Sequence, residues 1–433
     1  MKFHLISLGC PKNTVDSEKL IGNLVSRGLV FSQNIADSEL LLINTCGFIK
    51  DAKEESLGKI MEVLQLKKDN PKLKVIAFGC LIKRYFDTIK AEIPEIDHVF
   101  TFFTGSELDD FIKKPKKAKE VDSQEICGSS IRHLTPPHFG FLKIAEGCDN
   151  RCAYCAIPNI RGPFKSHPIN KLLLETQNLV DSGAREIILI AQDTTNYGRD
   201  IAQKSLLPDL IKEISTFSAI KWIRLQYLHP KRLSPSVIDE LFSIPKVLPY
   251  FDIPIQHVSD RLLTLMNRGV TKTHLSKLIS HIRKNFSEGI IRTTIIIGFP
   301  GETRSDFDEL ISFIERRPFD RLGAFPYSSE EGTTAAKIHP KVPRNIKKER
   351  LDELMTLQGL IASERNQKLV GKTFELIVDS VEKDIIHGRT YGDSPEIDLG
   401  TSLPNDKQSK PGDFIKVKIT AADSYDLTAE KVE

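Results

Sequence analysis

The densest chemistry in this chain is Glu146-Gly147-Cys148-Asp149-Asn150-Arg151-Cys152-Ala153-Tyr154-Cys155, a loop carrying thiols in the spacing C-x-x-x-C-x-x-C. An apolar run, Phe139 to Ala145, leads into it, and Gly147 opens the turn. Three thiolates on one loop can converge on a single metal centre. Structural zinc usually takes four protein ligands, drawn from paired C-x-x-C or histidine spacings. Here no fourth cysteine or histidine follows at short range; His167, beyond Pro158 and Pro163, is the first. A cubane iron–sulfur cluster with one open iron fits better, because thiolates are the usual ligands of such clusters. The open iron could then bind a substrate or cofactor. The plainer alternative is a structural zinc or cluster knuckle.

With an aromatic residue, Tyr154, just before the last cysteine, the triple spacing resembles that of the radical S-adenosylmethionine (SAM) superfamily. The resemblance implies a [4Fe-4S] cluster on Cys148, Cys152 and Cys155 whose open iron chelates the amino and carboxylate groups of SAM.

The elements that must position this loop are those of an α/β protein. At roughly 150 residues per domain, 433 residues suggest about three domains. Lys plus Arg number 61 and Asp plus Glu 58, a net charge of +3, which does not mark a general nucleic-acid binder and leaves a local basic patch open. Met1 to Ile6 reads straight into a strand rather than a charged-then-apolar leader. No apolar run approaches the length of a membrane span. A cytoplasmic, reducing location is therefore expected, in which the seven cysteines act as ligands rather than disulfides.

In the N-terminal domain, taken as 1–112, three apolar runs read as buried strands: Leu5–Leu8, Leu40–Ile43 and Val75–Phe78. Helical patterns over Thr14–Ser26, Ala52–Lys68 and Ile82–Ile93 separate them, so the sheet should be parallel. Cys10, Cys46 and Cys80 each fall just past the carboxyl end of one strand, the edge where parallel sheets bind ligands. Three ordinary buried cysteines would scatter through strands and helices instead. A second cluster site, again with one iron free of protein, is the functional reading. Ser7-Leu8-Gly9-Cys10-Pro11-Lys12-Asn13-Thr14-Val15-Asp16-Ser17-Glu18, Asn44-Thr45-Cys46-Gly47-Phe48 and Gly79-Cys80 resemble the cysteine blocks of the methylthiotransferases. Pro11-Lys12 is similar to the branch acting on an aspartate of ribosomal small-subunit protein S-twelve; the branch acting on a tRNA adenosine typically has Gln-Met there.

A linker is expected over 113–137, with Cys127 a thiol lacking a partner at ligand spacing. From 138 to 366 strand and helix alternate again: strands Phe141–Ala145, Glu186–Ala191, Lys221–Tyr227, Tyr250–Ile255, Arg292–Ile297 and Arg321–Phe325, and helices such as Lys171–Ser182, Thr273–Phe286 and Arg304–Glu315. This predicts a partial TIM-like (β/α) barrel with its chemistry at the carboxyl ends of the strands. Polar groups recur at those ends: Gln192-Asp193, Gln226 and His229, Gln256-His257, Gly298 to Thr303, and Tyr327 to Thr333. Singly, Asp193 or Thr303 would cap a helix. Together these groups would ring the mouth that holds the cluster loop. Gly298 and Gly301 would permit close backbone approach to a ligand. Ile253-Pro254-Ile255-Gln256-His257 and Ile297-Gly298-Phe299-Pro300-Gly301-Glu302-Thr303 match family blocks, and the resemblance assigns SAM binding to this region, with Gln192, Gln226, Gln256, His257, Gly298 and Glu302 as candidate contacts. His257 is either a proton shuttle or a structural histidine.

Arg344 to Gln367 reads as a helix. From 367 to 433, short strands (Thr373–Val378, Ile385–Thr390, Phe414–Ile419) punctuated by glycine predict a small antiparallel barrel similar to the TRAM domain, which is often linked to RNA. This stretch holds 9 Lys/Arg and 13 Asp/Glu, a net of −4. Phosphate binding needs local positive charge, so an acidic barrel suits a basic protein partner. Gly388-Arg389-Thr390 and Asp393 to Asp398 also resemble the ribosomal-protein branch.

The resemblance thus implies two [4Fe-4S] clusters, SAM as radical source and methyl donor, and insertion of sulfur at the β-carbon of an aspartate of protein S-twelve. An electron donor such as a flavodoxin or ferredoxin would be a partner, and no membrane would be involved. Two rivals remain: the same chemistry on tRNA, which the acidic tail disfavours, and a non-catalytic metal protein that uses its tail to bind RNA or protein.

Overall fold

The computed structural model describes residues 1–102, 134–398 and 400–432; Cys127 and positions 113–133 of the expected linker lie outside them. Among the described residues, β1 (Lys2–Ser7), β2 (Val30–Phe31), β3 (Leu40–Thr45), β4 (Lys74–Gly79) and β5 (His98–Phe100) form a parallel sheet in the order β2-β1-β3-β4-β5. Successive side chains of β3 face opposite sides, as strand geometry requires. Leu40 and Leu42 meet Leu20, Ile21 and Leu24 of the helix Pro11–Ser26. Leu41 and Ile43 meet Ile60, Val63 and Leu64 of the helix Lys50–Asp69. The sheet is therefore sandwiched, and β1, β3 and β4 are neighbours. β2 and β5 are too short to register as apolar runs. The expected helix Ile82–Ile93 is instead two, Cys80–Arg84 and Phe86–Glu92, because Tyr85 (φ −129°, ψ 35°) leaves helical geometry and packs on the core.

The second unit begins with β6 (Phe139–Lys143), followed by a small hairpin of β7 (Ala145–Glu146) and β8 (Lys165–Ser166) that brackets the cysteine loop. β6, β9 (Glu186–Ile190) and β10 (Trp222–Leu225) pair in parallel, as do β11 (Tyr250–Asp252), β12 (Ile290–Ile297) and β13 (Arg321–Pro326). A parallel bridge between Ile223 and Val247 joins the two sets into a partial barrel. Helices including Ile169–Asp181, Leu207–Ser215, Lys272–Asn285 and Arg304–Arg316 cover its outside, and their apolar faces share one core with the strands.

In the tail, β14 (Thr373–Val381), β15 (Ile385–Thr390), β16 (Gly400–Pro404), β17 (Phe414–Ala422) and β18 (Asp426–Lys431) close a barrel in the order β14-β15-β16-β18-β17. Its neighbours are antiparallel except at the closing pair, β16 with β18. The expected helix Arg344–Gln367 has those bounds and links the two barrels.

The loop between β15 and β16 does not add Asp393 and Asp398 to the small barrel's surface charge; it enters the central barrel. Asp393 accepts from Arg321 at 2.9 Å, Asp398 from Arg292 at 3.3 Å, and Ser394 from the Gln226 amide at 2.6 Å. Arg389 and Arg224 each donate to Glu186 at 2.7 Å, and Arg389 also pairs with Asp379. Asp393 and Ser394 are buried. The tail's net charge therefore overstates the charge on its surface. Asp393→Ala would leave the Arg321 guanidinium buried without its counterion and should cost about 3–5 kcal/mol. Urea denaturation checks this; a loss below ~1 kcal/mol would show that the plug does not balance the barrel's charge.

Candidate metal centres

The N-terminal thiols sit where β1, β3 and β4 end. Cys10 is the extended N-cap of the helix Pro11–Ser26, with proline in the helix's first turn, where a missing N–H costs nothing. Cys46 follows β3, and Cys80 starts the helix after β4. At Gly9 (φ +95°) an added Cβ would stand 2.9 Å from the Cys46 sulfur, so only glycine lets the first loop lie against the second thiol. Burial, reinforced by charge on Cys10 and Cys80, pushes the Cys46 thiol up to about 11. Burial also raises the Cys80 thiol.

The second set lies in the loop between β7 and β8. At Gly147 (φ +71°) a Cβ would strike the Pro163 carbonyl oxygen at 2.1 Å. Arg151 takes a left-handed conformation (φ +46°) between Cys148 and Cys152. Asp149 accepts from the Phe164 amide at 3.1 Å. The expectation that Asp193 caps a helix is not met: its side chain accepts from Asn150 and from Arg232, both at 2.6 Å, and so pins the cysteine loop from the end of β9. Burial pushes the Cys148 thiol up to about 11 and the Cys155 thiol up to about 12. Buried thiols of this kind become thiolates when a cation supplies the compensating charge. Among the described residues no three His, Cys, Asp or Glu side chains stand close enough to share one ion. A cubane instead offers each thiolate its own iron, and the donor sets fit that chemistry.

The two sets are neighbours. Cys80 packs in one apolar cluster with Ala156, the residue after Cys155, and with Ile160. A part-buried ion network locks this seam, its two cations buried and Asp16 and Glu146 exposed to 27% and 32%. Arg161 donates to Asn13 at 2.6 Å, to Glu146 at 2.8 Å and to Asp16 at 3.1 Å. Lys143 pairs with Glu146 at 2.6 Å and with Asp16. Asn13 also donates to the Leu8 carbonyl and lies 3.8 Å from the Cys80 sulfur. Lys12, 4% exposed, sets its ammonium 3.0 Å from the Tyr227 ring centre; burial lowers it to about 8. Tyr227 reaches that position with φ +59°. At the far side of the mouth, Glu330 pairs with Lys53 and Arg84 at 2.7 Å, and Arg84 donates to the Gly47 carbonyl beside Cys46.

Of the residues expected to meet SAM, Gln192 is half-buried after β9. Gln226 is buried, with Oε1 left without a hydrogen-bond partner. Gln256 (φ +72°) continues the pairing beside Ile295. His257 is fully buried: Nδ1 accepts from the Ser259 amide at 3.0 Å, which gives it a turn-holding role. At Gly298 (φ +69°) a Cβ would stand 2.4 Å from the Lys347 side chain, so the turn itself requires glycine. Glu302 accepts from Gly298 N at 2.7 Å and Arg350 at 2.6 Å, bracing the turn to the helix Arg344–Gln367; burial raises its carboxyl against the pull of Arg350. Thr303 does cap, in a capping box with Asp306. Phe299 joins this turn to Ala153 and Tyr154 of the cysteine loop.

Family comparison follows the same three units. Residues 2–101 match the Uncharacterized protein family UPF0004, residues 142–314 the Radical SAM superfamily, and residues 370–432 the TRAM domain. The ribosomal protein uS12 methylthiotransferase RimO of Thermosipho melanesiensis is 44% identical over the whole of both chains. That of Petrotoga mobilis is 41% identical, again over both whole chains, and that of Clostridioides difficile 38% identical over 99% of this chain and 98% of the relative.

The chain belongs to the uS12 methylthiotransferase family.

It is thus a radical SAM enzyme with a TRAM domain at its C-terminus. The same fold is seen in the radical SAM methyltransferase TsrM of Kitasatospora setae (TM-score 0.57, 13% identity, 77% of this chain and 76% of that one). It is also seen in the cobalamin-dependent radical enzyme OxsB (TM-score 0.52, 12% identity, 82% of this chain and 56% of that one).

What the sequence did not flag in this uS12 methylthiotransferase is the ion network: Asn13, Asp16, Lys143, Glu146 and Arg161. Its one visible signal is that all five lie within six residues of a cysteine. Arg161→Met should lower stability by about 3 kcal/mol, and Arg161→Lys should restore only part, because an ammonium lacks the planar fork. Thermal unfolding of the three proteins tests this.

Two buried histidines set an acid limit. His257 is lowered to about 4 by burial, and His229 to about 2 by burial and then by Arg268. Unfolded, each would titrate near 6.5. The unfolded chain therefore holds more protons than the folded one below that pH. Stability should be full above pH 6.5 and fall by about 1.4 kcal/mol per histidine for each further pH unit, until the folded value is reached. Denaturation midpoints at pH 7.5, 6 and 5 measure the slope, and His257→Gln should reduce it.

Proposed function

We propose that this chain adds a methylthio group to the β-carbon of an aspartate in ribosomal protein uS12, using two iron–sulfur clusters and SAM. The observation that carries the reading is the shared seam: the thiol edge of the N-terminal sheet faces the mouth of the barrel, with Cys80 against Ala156. Cys148, Cys152 and Cys155 would hold one [4Fe-4S] cluster, and Cys10, Cys46 and Cys80 a second. When bound, the first supplies the electron that cleaves SAM to a 5′-deoxyadenosyl radical and the second carries the sulfur to be inserted.

The chain's own residues do the positioning. Asp193 and Gly147 fix the cysteine loop, and the Arg161 network sets its distance from the N-terminal thiols. Phe299, Ala153, Tyr154, Leu262 and Met266 form an apolar wall that excludes water beside that loop. The unpaired Oε1 of Gln226 and the half-buried Gln192 are the side chains best placed to meet SAM; Gln256, His257, Gly298 and Glu302 shape the wall behind. The domains are taken as 1–112, 138–366 and 367–433. A cytoplasmic location, with a flavodoxin or ferredoxin as reductant, completes the reading; among the described residues no helix is long and apolar enough to cross a membrane.

The test is mass spectrometry of ribosomal proteins and tRNA nucleosides from cells with and without the gene. Loss of a methylthio group from uS12 with tRNA unchanged is the expected result; loss from a tRNA adenosine instead would overturn the substrate. In the purified enzyme, alanine at Cys10, Cys46 and Cys80 should halve the iron, from roughly eight to roughly four per chain, and abolish sulfur insertion while SAM cleavage persists. Alanine at Cys148, Cys152 and Cys155 should halve the iron and abolish both.

A further inference from the structure

Arg268 is a buried guanidinium, 4% exposed, with no carboxylate in ion-pair contact among the described residues. The acid that acts on it from a distance, Asp193, is already paired with Arg232. Its NH1 lies 3.5 Å from the Cys152 sulfur and 2.5 Å from Nε2 of His229, and its NH2 donates to the Pro254 carbonyl. The Nε of Arg268 is buried without a partner. A guanidinium has only donors, so His229 meets it through an unprotonated Nε2 as the neutral Nδ1–H tautomer, and the Lys231 amide, 3.2 Å from Nδ1, then has no acceptor there. His229 is itself buried, at 5% exposure.

The turn that carries Arg268 clasps the cysteine loop at two further points. The Met266 carbonyl accepts from Ala153 N at 2.9 Å, and the Asn267 amide donates to the Arg151 carbonyl at 3.0 Å. The contacts therefore fall on three consecutive residues, Arg151, Cys152 and Ala153. A charge this well aimed, out of water, acts with little screening. Hydrogen bonds and charge at ligand sulfurs are among the terms that set cluster potentials.

We propose that Arg268 is a positioning residue of the central cluster: its permanent charge, aimed at the Cys152 sulfur by neutral His229 and the Pro254 carbonyl, stabilises the more negative, reduced form and so raises the reduction potential. This rests on the ligand set proposed above. His229 serves as the aiming device. It is a neutral acceptor that competes for no charge, where a carboxylate at the same place would draw the guanidinium from the sulfur and cancel its effect.

The test is a redox titration of the anaerobically reconstituted full chain, following by electron paramagnetic resonance the reduced-cluster signal that changes when SAM is added. Arg268→Met keeps the stem and removes the charge; it should move the midpoint to a more negative potential and slow SAM cleavage when dithionite is limiting. Arg268→Lys keeps the charge and should stay nearer the wild type. A midpoint unchanged in Arg268→Met, at wild-type iron content and melting temperature, overturns the inference. If Arg268→Met does not fold, Arg268→Lys is compared with Arg268→Gln: midpoints that separate with charge support the inference, and equal midpoints overturn it. Cys152→Ala separates the two layers. Loss of the SAM-sensitive signal upholds the ligand set, whatever Arg268 does. Its survival would overturn the ligand set and this inference with it.

Discussion

One guanidinium fixes the distance on which the chemistry depends. Arg161 follows the last thiol of the barrel loop and spreads its donors over Glu146, before the first thiol of that loop, and over Asn13 and Asp16, just past the first thiol of the N-terminal sheet. A planar fork with several donors can serve partners from two domains at fixed angles, which a lysine could not. Because its two cations, Lys143 and Arg161, are buried, removing a carboxylate leaves positive charge uncompensated, so the two thiol edges hold one separation rather than a range. A radical generated at one edge needs a target held near it, and geometry of this stiffness is the protein's part in such a reaction.

The central barrel is unusual in what fills it. The interior of a closed eight-stranded barrel is packed with layers of branched apolar side chains. Here Arg224 pairs with Glu186 and Arg292 with Asp252 inside an incomplete barrel, and the third domain adds Asp393 as the partner of Arg321, Asp398 beside Arg292 and Arg389 beside Glu186. The TRAM domain thereby becomes part of the catalytic unit's own interior. Its Ser394 also holds the amide of Gln226, so a residue of the small barrel sets which face of a mouth side chain remains available.

Much of this was legible in the sequence for a physical reason. Thiol loops are local, and strands buried on both faces are continuous apolar runs, so Cys10, Cys46 and Cys80 could be placed on one edge without a structure. The barrel strands could be placed in the same way. What stayed hidden depends on partners distant in sequence. Arg161 and Asp16 are 145 positions apart, and Arg321 and Asp393 are 72 apart. A charged residue in a sequence reads as solvated surface, so Asp393 and Asp398 entered the tail's net charge as if exposed, although they pair with arginines of the central barrel. At Gly298 the sequence did not reveal the neighbour 49 positions away, Lys347, whose side chain leaves no room for a Cβ.

The plug has a consequence in time. A chain is made from its N-terminus, so Arg321 is synthesised 72 residues ahead of Asp393, and Arg292, which has Asp252 at 3.0 Å, is synthesised 106 residues ahead of its second acid, Asp398. At about 5–20 residues per second this is a lag on the order of 5–20 s. Through that interval all six clustered cysteines already exist in a nascent barrel whose Arg321 has no acid of the third domain to pair with. The barrel's interior pairing is complete only once its last domain has been translated. Translation itself therefore dates the enzyme's completion, and a truncated product keeps every thiol while lacking the balanced interior that would hold them in register.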